Sequence, residues 1–206
     1  MPSILITGFG PFPGAPFNPT EALVAELARH RSPAGLRRIG HVFRVSYAVV
    51  DQELPVLLER EKPDALIMFG LAARTPQLRI EMQARNAAAR LLPDVDRHCP
   101  PRGRILEGGP AELPLCTPAH RLLRAARSAG VPAMLSRDAG TYLCNYLCWH
   151  AAQAARTGLP RMAAFVHVPA VGRAQSNGRA RITADDLARA GEAMIRAMIP
   201  LMRVRA

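Results

Sequence analysis

Lysine is nearly absent from this sequence: Lys62 is the one lysine among 27 basic residues, in a chain with a formal net charge of +11. The cations, otherwise all arginine, are scattered rather than run together. The skew therefore reflects genome composition and not a surface built to release counterions from phosphate. Aromatics are scarce too, with one tryptophan and three tyrosines, and no stripe of arginine and aromatics occurs. Nucleic-acid binding thus ranks below enzyme activity. No apolar run approaches the length a membrane helix needs, and no basic start, apolar stretch and small-residue cleavage site marks a secretory signal; a soluble, cytoplasmic protein is expected. The four cysteines, Cys99, Cys116, Cys144 and Cys148, could pair, but a chain of 206 residues without an export signal needs no staples, and free thiols are expected. Cys144 and Cys148 suit one helix face, yet no histidine or second close cysteine pair completes a zinc pattern, so neither metal nor cofactor is expected.

What is plentiful is apolar sequence, 49% of the chain, enough to bury a full core in a single domain spanning residues 1–206. Short apolar runs alternate with amphipathic stretches from end to end, which predicts an α/β fold with a mostly parallel sheet flanked by helices. Ile4 to Thr7, closed by Gly8, reads as a buried first strand. Asn18-Pro19-Thr20-Glu21 supplies a helix cap, a proline for the first helical position and an acid for the third, before Leu23, Val24 and Leu27 line one face. Val42 to Val50 reads as a strand, Asp51 as the cap of a helix through Leu57 and Leu58, and Ala65 to Phe69, ended by Gly70, as another buried strand. Residues 71–116, rich in arginine, proline and glycine, read as a long excursion with short strands on the active rim. Thr117-Pro118 opens a helix that Gly130 closes. A strand from Val131 to Leu135, a helix from about Thr141 to Arg156, a strand from Ala163 to Val166 and a last helix capped by Thr183 complete the pattern. Only Gly172 to Ala180 is linker-like.

In an open α/β sheet, ligands lie beyond the carboxyl ends of the strands. Gly8 to Phe12, Gly70, Ser136 to Gly140 and His167 follow or end predicted strands. Cys144 falls in the first turn of the helix predicted from Thr141, where unpaired N–H groups and the helix dipole favour a thiolate. His167, on a neighbouring strand end, could take the thiol proton and later deliver it to a leaving amine. The same layout fits a buried structural cysteine and a satisfied histidine, both common. Cys148, one turn further in and followed by Trp149, reads as helix core.

Leu5-Ile6-Thr7-Gly8-Phe9-Gly10-Pro11-Phe12 with Asn18-Pro19, Gly70-Leu71-Ala72 through Glu81 and Asn86, Arg90 with Pro93-Asp94, Asp138-Ala139-Gly140-Thr141-Tyr142-Leu143-Cys144-Asn145, and Phe165-Val166-His167-Val168-Pro169 follow one another along the chain. In that order they resemble the pyroglutamyl peptidase I, or pyrrolidone-carboxylate peptidase, family of cysteine peptidases. The block ending at Cys144-Asn145 is similar to its nucleophile motif and the last block to its histidine motif. The resemblance implies an α/β/α sandwich that removes N-terminal pyroglutamate from peptides through a Cys144, His167, Glu81 triad. In it Glu81 would accept the second imidazole N–H and stabilise the imidazolium. It also implies that Phe9 and Phe12 line an apolar slot for a lactam that carries no ammonium group. Gly70 and Leu71 lie beside the slot, Asn18 braces its loop, and Arg90 helps stabilise the tetrahedral intermediate. The expected partner is a peptide with N-terminal pyroglutamate, with no nucleic acid and no membrane; self-association into a homo-oligomer is left open.

The sequence departs from the family's pattern mainly around the acid. Met82 stands where arginine is usual, Arg85 where an aliphatic residue precedes the asparagine, Ala73-Arg74 in place of paired glycines and Ala89 in place of an aspartate. After His167, Ala170-Val171-Gly172 replaces an aromatic and prolines. Two other readings stay open: a thiol amidohydrolase acting on another cyclic or acylated amide, and a catalytically silent scaffold that kept the fold.

Overall fold

A strand covered on both faces must be apolar almost throughout, and Ser3–Phe9, the first strand β1, is buried at all 7 positions. The structure, a computed structural model, describes residues 1–30, 35–172 and 182–203. After β1 come α1 (Pro19–Arg29), β2 (Arg37–Phe43), α2 (Tyr47–Glu61), β3 (Ala65–Leu71), β4 (Leu78–Glu81), β5 (Gln83–Arg85), β6 (Glu112–Pro114), α3 (Ala119–Ser128), β7 (Ala133–Ser136), α4 (Leu143–Arg156), β8 (Met162–Val168) and α5 (Ala184–Arg203). Six strands form one sheet in the order β2-β1-β3-β8-β4-β7. The first four in that order are mutually parallel. β4 runs antiparallel to β8, and β7 runs parallel to β4. The sheet is thus mostly parallel and flanked by helices, as the alternation of apolar strands and amphipathic helices predicted.

Side-chain alternation along the strands divides the core in two. Ile67, Phe69, Ile80, Val166 and Val168 pack beneath α1, α3 and α5 through Leu23, Leu122 and Met194. Leu66, Met68 and Phe165 face the other way, beneath α2 and α4, against Leu54, Leu147 and Trp149. Glu81 alternates with Ile80, and His167 with Val166 and Val168, so both polar residues lie on the α4 face.

The caps follow the sequence closely. Asn18 Oδ1 accepts the Thr20 N–H at 3.2 Å, with Pro19 opening α1; such a cap is worth about 1 kcal/mol. Asp186 N–H donates to Thr183 Oγ1 at 3.1 Å and Thr183 N–H returns to Asp186 Oδ2 at 2.9 Å, a reciprocal cap for α5.

Four details differ from expectation. The strand read over 42–50 lies instead at 37–43, and Tyr47, Val50, Leu54, Leu57 and Leu58 are the buried stripe of α2, which Ser46 precedes and which contains Asp51. Local β-branched content pointed to a strand, but the spacing of the apolar positions is helical. α4 begins at Leu143 rather than Thr141. Leu78–Glu81, assigned by sequence to the rim, is a strand inside the main sheet. Because β7 runs against β8, Ser136 to Gly140 do not follow a strand end on the rim where β1, β3 and β8 finish; residues 137–142 carry the chain back there to start α4. Of the linker-like stretch Gly172 to Ala180, residues 173–180 lie outside the described residues.

Candidate active site

One register row crosses the sheet beneath the start of α4. Phe43 pairs with Phe9, Gly70 with His167, and His167 with Arg79. Thr7 pairs with Met68, so Phe9, two residues on, comes level with Gly70. Gly70 sits close beneath the helix: a Cβ there would stand 2.8 Å from Cys144 Sγ and 2.6 Å from the Phe165 ring. Glycine at this position is a matter of space, since any side chain would displace the sulfur.

Cys144 is the second residue of α4, half-buried, at a helix N-terminus that no side chain caps. The backbone N–H groups and dipole of that end favour negative charge on the sulfur. His167 is buried, and its Nδ1 stands 2.8 Å from Glu81 Oε1. Nε2 is the ring nitrogen left for Cys144, whose interaction with the ring raises its pKa. Glu81 is wholly buried. It pairs with Phe165 rather than with His167, so its side chain reaches the imidazole along the diagonal of the antiparallel ladder. Burial alone would push His167 down, but the hydrogen bonds and charges of Cys144 and Glu81 outweigh it and raise the ring to about 9. At neutral pH the imidazole is accordingly protonated, with both N–H groups engaged.

Arg79 also meets the acid: its Nη2 lies 3.3 Å from Glu81 Oε1, donates to Ser136 Oγ at 2.7 Å, and donates to the Asp138 carbonyl. Cys148, fully enclosed, is pushed up by burial first and by Glu81 and Cys144 next, and stays a neutral thiol.

The loops around this chain of groups are tied by buried amides. Asn145 Nδ2 donates to the Arg85 carbonyl at 2.8 Å and the Ala87 carbonyl at 2.9 Å, and its Oδ1 accepts the Arg85 N–H at 2.8 Å. The segment after Glu81 is thereby fastened to α4, the helix that carries Cys144. Asn86 Oδ1 accepts the N–H groups of Ile105 and Leu106, each at 2.9 Å. Asp94 accepts from Tyr47, Asp96 and His98 N–H, and those bonds hold its carboxyl below the usual range against its own burial. Asn18 Nδ2 donates to the Gly10 carbonyl at 3.0 Å, while Thr20 Oγ1 bonds both backbone groups of Phe9.

Cys144, His167, Glu81 and Gly70 are thus brought together. Phe9 is buried against Phe43, ring centroids 6.1 Å apart, and Phe12 is half-buried over the same α4-side core. Leu71 ends β3 half-buried, on the opposite side of the pleat from Gly70. Arg90 is exposed and runs over Gly103 without an ion pair among the described residues; its neighbour is tied to the loop before α4, Ala89 N–H donating to the Thr141 carbonyl at 2.7 Å. Met82 turns away from the site and packs on the α1/α3/α5 side. Sequence reasoning missed Arg79. The available signal was the alternation Leu78, Arg79, Ile80, Glu81, which places both charged residues on one face once the segment is read as a strand.

A family model described as pyroglutamyl peptidase matches residues 2–198. A pyrrolidone-carboxylate peptidase of Thermococcus kodakarensis is 34% identical over 167 residues, covering 81% of this chain and 80% of that protein. One of Clavibacter michiganensis subsp. michiganensis is 32% identical over 200 residues, covering 97% of this chain and 93% of the relative. Among solved structures, a pyrrolidone carboxyl peptidase from Thermococcus litoralis superposes with a TM-score of 0.89 at 29% identity, covering 100% of this chain and 99% of that one.

Proposed function

We propose a mechanism for a chain that belongs to the pyroglutamyl peptidase family and hydrolyses the bond after an N-terminal pyroglutamyl residue: Cys144 attacks, His167 moves the proton and Glu81 orients His167. The observation that carries this reading is the unbroken line from Cys144 through His167 to Glu81 Oε1, 2.8 Å from the imidazole. The sulfur, as thiolate, adds to the pyroglutamyl carbonyl carbon and the carbonyl oxygen takes the negative charge. The uncapped N–H groups at the start of α4 supply donors for that oxygen, with Arg90 as a further donor once substrate covers the rim. Collapse expels the peptide amine, protonated by the Nε2–H of His167, and leaves a thioester on Cys144. A water that gives its proton to the now neutral His167 hydrolyses the thioester, releasing pyroglutamate and restoring the thiolate and imidazolium.

The lactam ring has no ammonium group to pair, so the apolar surface of Phe9 and Phe12 beside Gly70 suits it. Asn18 keeps the loop bearing them in place through Gly10. We place the enzyme in the cytoplasm; four free thiols, one of them the nucleophile, suit a reducing compartment. No described helix is long and apolar enough to cross a membrane.

The test is release of aminomethylcoumarin from its pyroglutamyl derivative by the wild type, Cys144→Ala and His167→Ala in reducing buffer. Turnover in the wild type alone, with all three proteins equally folded by circular dichroism, is expected. Turnover by either variant would remove that residue from the mechanism.

A further inference from the structure

Arg79 is the charged neighbour that this mechanism leaves unused. It pairs directly with His167 across the β4–β8 ladder and shares its face with Glu81. Its Nη2 lies 3.3 Å from Glu81 Oε1, the same oxygen that stands 2.8 Å from His167 Nδ1. The other carboxylate oxygen, Oε2, is buried without a hydrogen-bond partner, so both contacts converge on one atom. The guanidinium is itself fixed from β7, by Ser136 Oγ at 2.7 Å from Nη2 and 3.3 Å from Nε and by the Asp138 carbonyl.

We propose that Arg79 is a positioning residue that shares the Glu81 carboxylate with His167, fixing its orientation and dividing its charge so that the imidazolium remains a competent acid. The inference rests on the catalytic reading above. A buried carboxylate bound to an imidazolium alone would stabilise it so strongly that proton delivery to the leaving amine would suffer. A guanidinium on the same oxygen offsets part of that pull, and its planar fork lets one side chain hold Glu81 while bonding Ser136 and Asp138.

Among the described residues, the other charged or titratable groups facing His167 come from α4 and β4. From α4 come Cys144, bonded to the ring, and Cys148, held neutral by burial. From β4 come Glu81 and Arg79 themselves, while β3 contributes Gly70, which has no side chain. Asp138 turns its carboxylate to Arg85 Nη1 at 3.0 Å and Gly140 N–H at 3.0 Å and meets Arg79 through its carbonyl. Arg79 is 24% exposed, so solvent screens part of its effect and a modest shift is expected.

The test follows the titration midpoint of the His167 ring by NMR, together with kcat and KM, in the wild type, Arg79→Met and Arg79→Lys. Arg79→Met should raise the midpoint by about half a pH unit and lower kcat by about 10-fold with KM within about twofold. Arg79→Lys should restore the midpoint. In the Glu81→Gln background the Arg79→Met shift should vanish, because the effect passes through that carboxylate. If Arg79→Met does not fold, Ser136→Ala, which removes one anchor of the guanidinium, should move the midpoint the same way by less. A midpoint that stays or falls in Arg79→Met, or that shifts equally in the Glu81→Gln background, would overturn the proposal. The ring titration is read without turnover, so failure here is distinct from failure of the catalytic reading, which turns on His167→Ala.

Discussion

Replacing Glu81 by glutamine preserves the shape of the side chain and removes its charge from a site where water cannot replace it. His167 stands raised from 6.5 to about 9, an imidazolium stabilisation of about 3 kcal/mol. Cys144 and Glu81 produce that rise together against burial, so removing the Glu81 charge should lower the ring in the variant. In the wild type, kcat/KM should decline as pH rises through about 9, where His167 loses the proton the leaving amine needs. In Glu81→Gln the decline should begin at lower pH. At neutral pH the variant should be slower by about 10² to 10⁴-fold, since the amide orients the ring less well and cannot stabilise its charge. The assay is kcat/KM for pyroglutamyl aminomethylcoumarin from pH 5 to 10, about half a unit apart, at constant ionic strength. An unmoved alkaline limb with a rate near that of the wild type would refute the role given to Glu81.

Gly70→Ala would set a Cβ 2.8 Å from Cys144 Sγ; kcat/KM should fall by about 10²-fold through misplacement of the sulfur, and denaturant titration should show a loss of about 1–3 kcal/mol. Asn145→Ala removes the three bonds that fasten residues 85–87 to α4 and should cost about 2–4 kcal/mol by urea unfolding, with unchanged stability contradicting the bracing role. Because the folded pKa of His167 is raised, its contribution to stability is fully present below about 6.5 and is lost as pH rises through about 9. Urea midpoints should therefore decline across that window in the wild type and decline less in Glu81→Gln.

The strands covered on both faces were legible because burial demands unbroken apolar runs: β1, β3 and β8 were each found as such. The caps of α1 and α5 were legible because Asn18-Pro19 and Thr183-x-x-Asp186 are local chemistry. The failures come from interactions that are not local. Val42 to Val50 carries β-branched residues that read as a strand, yet Val50 belongs to the helically spaced stripe Tyr47, Val50, Leu54, Leu57 and Leu58 that α2 docks on the sheet. Leu78–Glu81 is short and half charged, and its place in the sheet depends on pairing with β8 far along the chain. That pairing also sets the distance from Glu81 to His167, which is why Glu81 was named only through resemblance, while the layout offered Cys144 and His167 as one reading beside a structural one. Arg79 was missed with it, because the alternation that sets Arg79 and Glu81 on one face carries weight only once the segment is read as a strand.

The most direct measurement is the mass of acid-quenched enzyme during turnover of an activated pyroglutamyl ester, followed by peptide mapping. One pyroglutamyl group in thioester linkage on the peptide bearing Cys144, absent from Cys144→Ala, is the predicted result. A turning-over wild type with no adduct, or with the group on another residue, would contradict nucleophilic attack by Cys144.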